Sequence, residues 1–208
     1  EKQSFFIRQG IIRKLLSKYS SKDGVVVELG VGNGQLAKDL VGEGYKNIHL
    51  IDVDNYLSGE FPPDIVSFHQ LDLSFNKLPF NDDSVDIILA IAILEHLENP
   101  ILVIREAARV LKKGGIFMAA VPWIFSLRSK ILFSTKGDLK GYNRENNHIS
   151  LFTRAIFNKI FLKFFSVLET HYSEGYVSIL GKKVRLPSSN KWLHKYFCDK
   201  VLYTLQKQ

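Results

Sequence analysis

With 208 residues, 46% of them hydrophobic and 24% charged, the chain can build one domain with a full core, and wholesale disorder is excluded. Charges interrupt every apolar run well short of the roughly 18 residues a membrane-spanning helix needs. The formal charge of +7 favours an anionic partner such as nucleic acid or an acidic membrane surface, yet Lys182, Lys183, Arg185, Lys191, Lys195, Lys200 and Lys207 are opposed there only by Asp199, so a solvated basic C-terminal segment over 182–208 explains it equally well. The single Cys198 cannot form an internal disulfide, which is the pattern of a reducing cytoplasm. The chain opens at Glu1 without methionine, as a trimmed or tagged start would.

Phe5-Phe6-Ile7, Ile11-Ile12 and Leu15-Leu16 recur at helical spacing and predict an amphipathic helix ending near Tyr19. A strand from Val25 to Leu29 runs into the glycine turn Gly30-Val31-Gly32-Asn33-Gly34, and a helix over Gln35–Val41 stops at Gly42-Glu43-Gly44. Ile48–Asp52 and Ile65–His69 read as the next two strands, parted by the breaker Pro62-Pro63. Val85–Ile91 is apolar on both faces, the mark of a central strand covered by helices on either side.

A helix over Pro100–Leu111 follows, closed by Lys112-Lys113-Gly114-Gly115, and Ile116–Val121 forms another strand. This alternation predicts an α/β fold: a doubly wound, Rossmann-like sheet, mostly parallel, with helices on both faces. Between 123 and 150 periodicity fades into aromatic and basic residues, an insertion on the substrate side of a single domain spanning 1–208. Thr153 caps a helix with Ile156, Ile160, Phe161 and Phe164 as its buried stripe; Val167–His171 and Tyr176–Leu180 predict a terminal antiparallel pair, and Trp192–Leu205 a last helix.

Glycines let backbone N–H groups approach a ligand where a Cβ would collide, and a carboxylate at the tip of the neighbouring strand, Asp52, can accept both hydroxyls of a ribose. An adenosine-containing cofactor is implied. The spacing of Gly30, Gly32 and Gly34 is G-x-G-x-G, with Gln35 where a dinucleotide fingerprint needs its third glycine. Glu28 inside the strand suits a ligand with a cationic amino group better than a pyrophosphate. The bland alternatives are a plain tight turn for the glycines and a cap or turn role for Asp52.

Val26-Val-Glu-Leu-Gly-Val-Gly-Asn-Gly34, Leu50-Ile-Asp-Val-Asp54, Gln70-Leu-Asp-Leu73, Leu78 through Ala90 with Leu94-Glu-His-Leu97, and Leu111-Lys-Lys-Gly-Gly-Ile116 stand in the order of the motifs of class I S-adenosylmethionine-dependent methyltransferases. The chain resembles that family, particularly its small members that include the ubiquinone and menaquinone biosynthesis methyltransferases. The resemblance implies S-adenosylmethionine as cofactor, held by Glu28, Leu29, Gly30, Gly32, Asn33, Gly34, Asp52, Val53, Asp72, Leu73, Ala90, Ile91 and Glu95. Asp72 would accept from the adenine amine, or else form only an Asx-turn before Ser74. Asp86 reads as a structural carboxylate at the start of its strand.

Methyl transfer to a neutral acceptor needs positioning and a base. His148 and His96 are the catalytic candidates, against local roles in holding their loops. Trp123, Phe125, Phe133, Tyr142 and Arg144 suit a small organic acceptor or pack on one another. His49, His69, His171 and His194 lack metal-ligand spacing, and no metal is expected. The expected function is methyl transfer to oxygen, nitrogen or carbon of a small or medium organic acceptor. The alternatives are a nucleic-acid or lipid/glycan-precursor methyltransferase, the latter from Phe161, Phe164 and Phe165 beside Lys159 and Lys163, a non-catalytic binder of the cofactor, or a nicotinamide dehydrogenase.

Overall fold

A computed structural model describes residues 10–142, 144–179, 182–186 and 191–208. Seven strands form the main sheet: β1 (Val26–Leu29), β2 (Ile48–Asp52), β3 (Val66–Gln70), β4 (Val85–Ile91), β5 (Leu111–Pro122), β6 (Phe165–Tyr172) and β9 (Lys200–Lys207). Their spatial order is β3-β2-β1-β4-β5-β9-β6, the first five parallel and β9 antiparallel to both its neighbours. A separate hairpin pairs β7 (Tyr176–Ile179) with β8 (Lys182–Arg185). Because β1 is followed by β2 on one side and neighboured by β4 on the other, the strand order reverses between β1 and β4. Open α/β sheets bind ligands at that crevice, outside the carboxyl ends of the strands.

Each sheet face is covered. Helices α1 (Ile11–Tyr19) and α2 (Gln35–Gly42) bury Ile12, Leu16, Leu36 and Leu40 against Val26, Ile48, Ile87 and Met118. On the opposite face α3 (Pro100–Val110) buries Val103, Ile104 and Ala107 against Val27, Leu29 and Ile88. Asn99 caps α3 by accepting from the Leu102 N–H at 3.2 Å, and Pro100 fills the first turn where no N–H is needed. Among the described residues no helix is long and apolar enough to cross a membrane.

Several boundaries depart from the sequence expectation. Leu111–Gly115 belong to β5 rather than closing α3: Leu111 already has extended dihedrals, and Gly115 passes so close to the Asp86 carbonyl that an added Cβ would lie 3.1 Å from it. Asp86 is structural as expected, accepting from the Val25 N–H at 2.8 Å and pairing with Lys112. The irregular segment contains a helix, α4 (Leu127–Lys136), capped by Ser126 and ended by Gly137 at φ 74°. In α5 (Arg154–Ile160) Thr153 caps as expected, but Ile156 is exposed and Phe157 packs inward with Phe161.

The largest correction lies at the C-terminus. Only Lys191–Phe197 is helical (α6); the chain then returns as β9 between β5 and β6. The terminal antiparallel pair is therefore β6 with β9, while Tyr176–Ile179 pairs with Lys182–Arg185; Leu180 lies outside the described residues, as does the start of the expected N-terminal helix. Val201, Leu202, Thr204 and Leu205 are buried, so the last part of the basic segment, 200–207, is built into the sheet.

Candidate functional site

The glycine turn follows from backbone conformation. Gly30, Gly32 and Gly34 have φ of 71°, 53° and 77°, a region that residues with a Cβ enter only with strain. They serve different ends. A Cβ on Gly30 would stand 2.6 Å from Ile93, and one on Gly34 2.8 Å from Leu57 and Phe61, whereas a Cβ on Gly32 would meet nothing within 4 Å. Gly30 and Gly34 are needed for packing; Gly32 faces free space.

That space is a cleft of about 950 Å³ over the β1–β4 switch point. Of the expected cofactor residues, Glu28, Gly30, Gly32, Asn33, Ile91 and Glu95 line it, together with both histidine candidates, His96 and His148. Leu29, Leu73 and Ala90 are instead buried in the core, and Val53 is half exposed. Gly34 shapes the turn from behind. The carboxylate of Asp52 holds the turn, accepting from the Gly32 N–H at 3.1 Å and the Val53 N–H at 2.8 Å. That of Asp72 accepts from the Ser74 N–H at 2.8 Å, the Asx-turn that the sequence left open.

Glu28 is 3% exposed and its Oε2 has no hydrogen-bond partner. Burial, reinforced by the charges of Asp52 and Asp39, pushes its carboxyl up to about 8. A buried acceptor left in this condition at the head of a cleft fits a cationic ligand group.

The opposite wall is built where β4 ends. Ala92 adopts φ 61°, strained for a residue with a Cβ by about 1 kcal/mol, and its N–H donates to the Ala120 carbonyl at 3.0 Å. This sharp exit leads into a 3₁₀ turn, Leu94–His96, which carries Glu95 and His96. The Glu95 carbonyl accepts from the Ile149 and Ser150 N–H groups at 2.9 and 3.0 Å, and the Ser150 hydroxyl donates to the Leu97 carbonyl at 2.6 Å. These bonds latch the 146–150 segment to the turn. His148 thereby meets His96 edge-to-face, ring centroids 4.6 Å apart. Burial, then the neighbouring His96, lowers the His148 pKa, with the Gly141 carbonyl acting weakly the other way.

Sequence reasoning missed Tyr56, Ala92, Asn146, Asn147 and Lys200 as cleft residues. A left-handed alanine leaves no sequence signal, and Lys200 arrives on a strand that the hydrophobic pattern disguised as helix. The aromatic and basic surface expected from Phe161, Phe164 and Phe165 does not form, since Phe161 and Phe165 are buried in the core.

Residues 27–119 match the family described as "Methyltransferase domain". That match, just under half of the chain, makes the core of this chain similar to a methyltransferase domain. A protein of Mycobacterium tuberculosis named as a probable S-adenosylmethionine-dependent methyltransferase is 27% identical over 114 residues, 55% of this chain and 40% of its own length. A methyltransferase-named protein of Encephalitozoon cuniculi is 32% identical over 130 residues, 60% of this chain and 57% of its own. The chain thus spans about half the length of these curated relatives. The crystal structure of an S-adenosylmethionine-dependent methyltransferase from Archaeoglobus fulgidus shares the fold of the whole chain, with TM-score 0.67, 15% identity, and coverage of 99% of this chain and 95% of that one. Two of these proteins are named for dependence on S-adenosylmethionine, and the unpartnered Oε2 of Glu28 beside the open face of Gly32 fits the ammonium-bearing end of that cofactor.

Proposed function

We propose that this chain methylates an oxygen, nitrogen or carbon of a small or medium organic acceptor held between the glycine turn and His148. The observation that carries the reading is the buried Glu28 carboxylate, its Oε2 without a hydrogen bond, in the same cleft as His96 and His148. When bound, S-adenosylmethionine supplies a methyl group made electrophilic by its sulfonium. Glu28 would take the ammonium, Gly32 and Asn33 would pass along the amino-acid end, and Asp52 would accept from the ribose hydroxyls. Val53, Asp72 and Leu73 would border the adenine, with Leu29, Gly34 and Ala90 shaping the floor from behind and Ile91 and Glu95 the wall.

His148, its pKa lowered, is a neutral imidazole near pH 7 and would take the acceptor's proton as the new bond forms, oriented by His96. The cleft would supply most of the acceleration by holding the acceptor atom in line. The single cysteine, Cys198, which has no second cysteine to form an internal disulfide with, supports a cytoplasmic setting.

Calorimetry with S-adenosylmethionine and S-adenosylhomocysteine tests the cofactor assignment, and labelled-methyl transfer to a metabolite extract tests turnover. Product recovered in the small-molecule fraction supports the reading. Label only in RNA or in the lipid fraction overturns the acceptor class, and binding without any product makes the chain a non-catalytic binder.

A further inference from the structure

We propose that Glu95, His96 and His148 bind one divalent first-row transition cation within the cleft, a site of one carboxylate and two imidazoles. No such site was expected from the sequence, because fifty-odd residues separate His148 from the Glu95-His96 pair. The fold closes that gap through the latch from the Glu95 carbonyl to the Ile149 and Ser150 N–H groups.

Three observations converge on it. One ligand atom from each of the three residues lies within 4.8 Å of the others. Ligand atoms around a tetrahedral cation with bonds of about 2.1 Å sit roughly 3.4 Å apart, so small side-chain rotations complete the geometry. Glu95 is fully buried, and neither of its carboxylate oxygens has a hydrogen-bond partner, although Lys200 lies in the same cleft. A buried carboxylate persists when paired or bound to a metal, and here the opposing influences, its own backbone N–H and the charges of Lys200 and His96, are outweighed by burial. Finally, the Nδ1 atoms of His96 and His148 are buried without a hydrogen bond of ordinary geometry, although the Gly141 backbone acts on the His148 ring. The other four histidines are engaged: His49 with His69 at 3.1 Å, His171 with Glu169 at 3.0 Å, and His194 accepting from the Gly175 N–H at 2.9 Å.

Two imidazoles and one carboxylate suit zinc, manganese or iron(II), and leave coordination positions open toward the cleft. An acceptor oxygen bound at such a position would be polarised and fixed in direction, and the cation would replace His148 in easing loss of the acceptor's proton; this last step rests on the methyltransferase reading above.

The test uses the full chain stripped with EDTA and dialysed, then titrated separately with Zn²⁺, Mn²⁺ and Co²⁺, following stoichiometry by elemental analysis and the visible absorption of Co²⁺. Glu95→Gln, His148→Ala and the control His171→Ala are titrated alongside, each checked for folding by circular dichroism. One cation per chain, with affinity at least tenfold weaker in both site variants and unchanged in His171→Ala, supports the site. A folded wild type that takes up none of the three cations stoichiometrically overturns it, as does unchanged binding by folded Glu95→Gln and His148→Ala, which would place the cation elsewhere. S-adenosylmethionine titration of the stripped protein separates the two readings. Cofactor binding without metal uptake sinks the metal site alone, and metal uptake without cofactor binding sinks the methyltransferase reading alone.

Discussion

Replacing Glu28 by Gln changes the ligand affinity and the stability of this protein in opposite directions. With its carboxyl at about 8 in the free protein, Glu28 is about 1% ionised near pH 6 and about half ionised near pH 8. If the ionised form holds the cofactor's ammonium, affinity for S-adenosylhomocysteine rises about 20-fold over that interval, about 2 kcal/mol, after the ammonium's own loss of protons near pH 8 is counted. Above pH 8 the profile turns over, because an α-amino group itself deprotonates at about 7.7–8.0. Glu28→Gln flattens the acid limb and lowers affinity near pH 8 by about 10- to 100-fold, the worth of a hydrogen bond to a charged group, about 1.5–3 kcal/mol.

The stability change carries the other sign. A folded-state pKa raised from 4.5 to about 8 means the native state binds the extra proton, so this contribution is intact below pH 4.5 and is lost as pH rises through 8. At about pH 7 the wild type has lost about 3 kcal/mol that the glutamine variant keeps. Calorimetric titration and urea melts of the ligand-free proteins at stepped pH measure both effects. Equal affinity of the two proteins near pH 8, or a wild-type affinity independent of pH between 6 and 8, would refute the assignment of Glu28 to the ammonium.

The two inner glycine substitutions separate folding from binding. Gly30→Ala drives a Cβ to 2.6 Å from Ile93 at a left-handed φ and should cost about 2–4 kcal/mol in thermal or urea denaturation. Gly32→Ala meets no protein atom, so it should cost only about 1–2 kcal/mol of strain yet abolish calorimetric cofactor binding. Arg109 ties the β3–β4 connection to α3 through Glu106, Asp82 and the Leu78 and Phe80 carbonyls; Arg109→Lys loses the forked geometry and should lower stability by about 2–3 kcal/mol in urea melts. Phe165→Ala, fully buried against Phe117, should lower stability by about 3–5 kcal/mol, and a change below about 1 kcal/mol would contradict the placement of β6 in the main sheet.

Local chemistry determined the first half of the chain. Three glycines after a β-branched run admit few structures other than a tight turn at positive φ, and the doubly apolar Val85–Ile91 has to lie inside a covered sheet, so the parallel half of the fold and the Glu28–Gly32 end of the cleft were legible in the sequence. Tertiary structure decided the remainder. Val201 to Leu205 offer hydrophobic residues to both faces, a short pattern that fits helix or buried strand alike, and only the open edges of β5 and β6 made it a strand. The meeting of Glu95, His96 and His148 is decided by backbone hydrogen bonds between remote segments. Such bonds form from N–H and C=O groups common to almost every residue, so no side-chain pattern announces them.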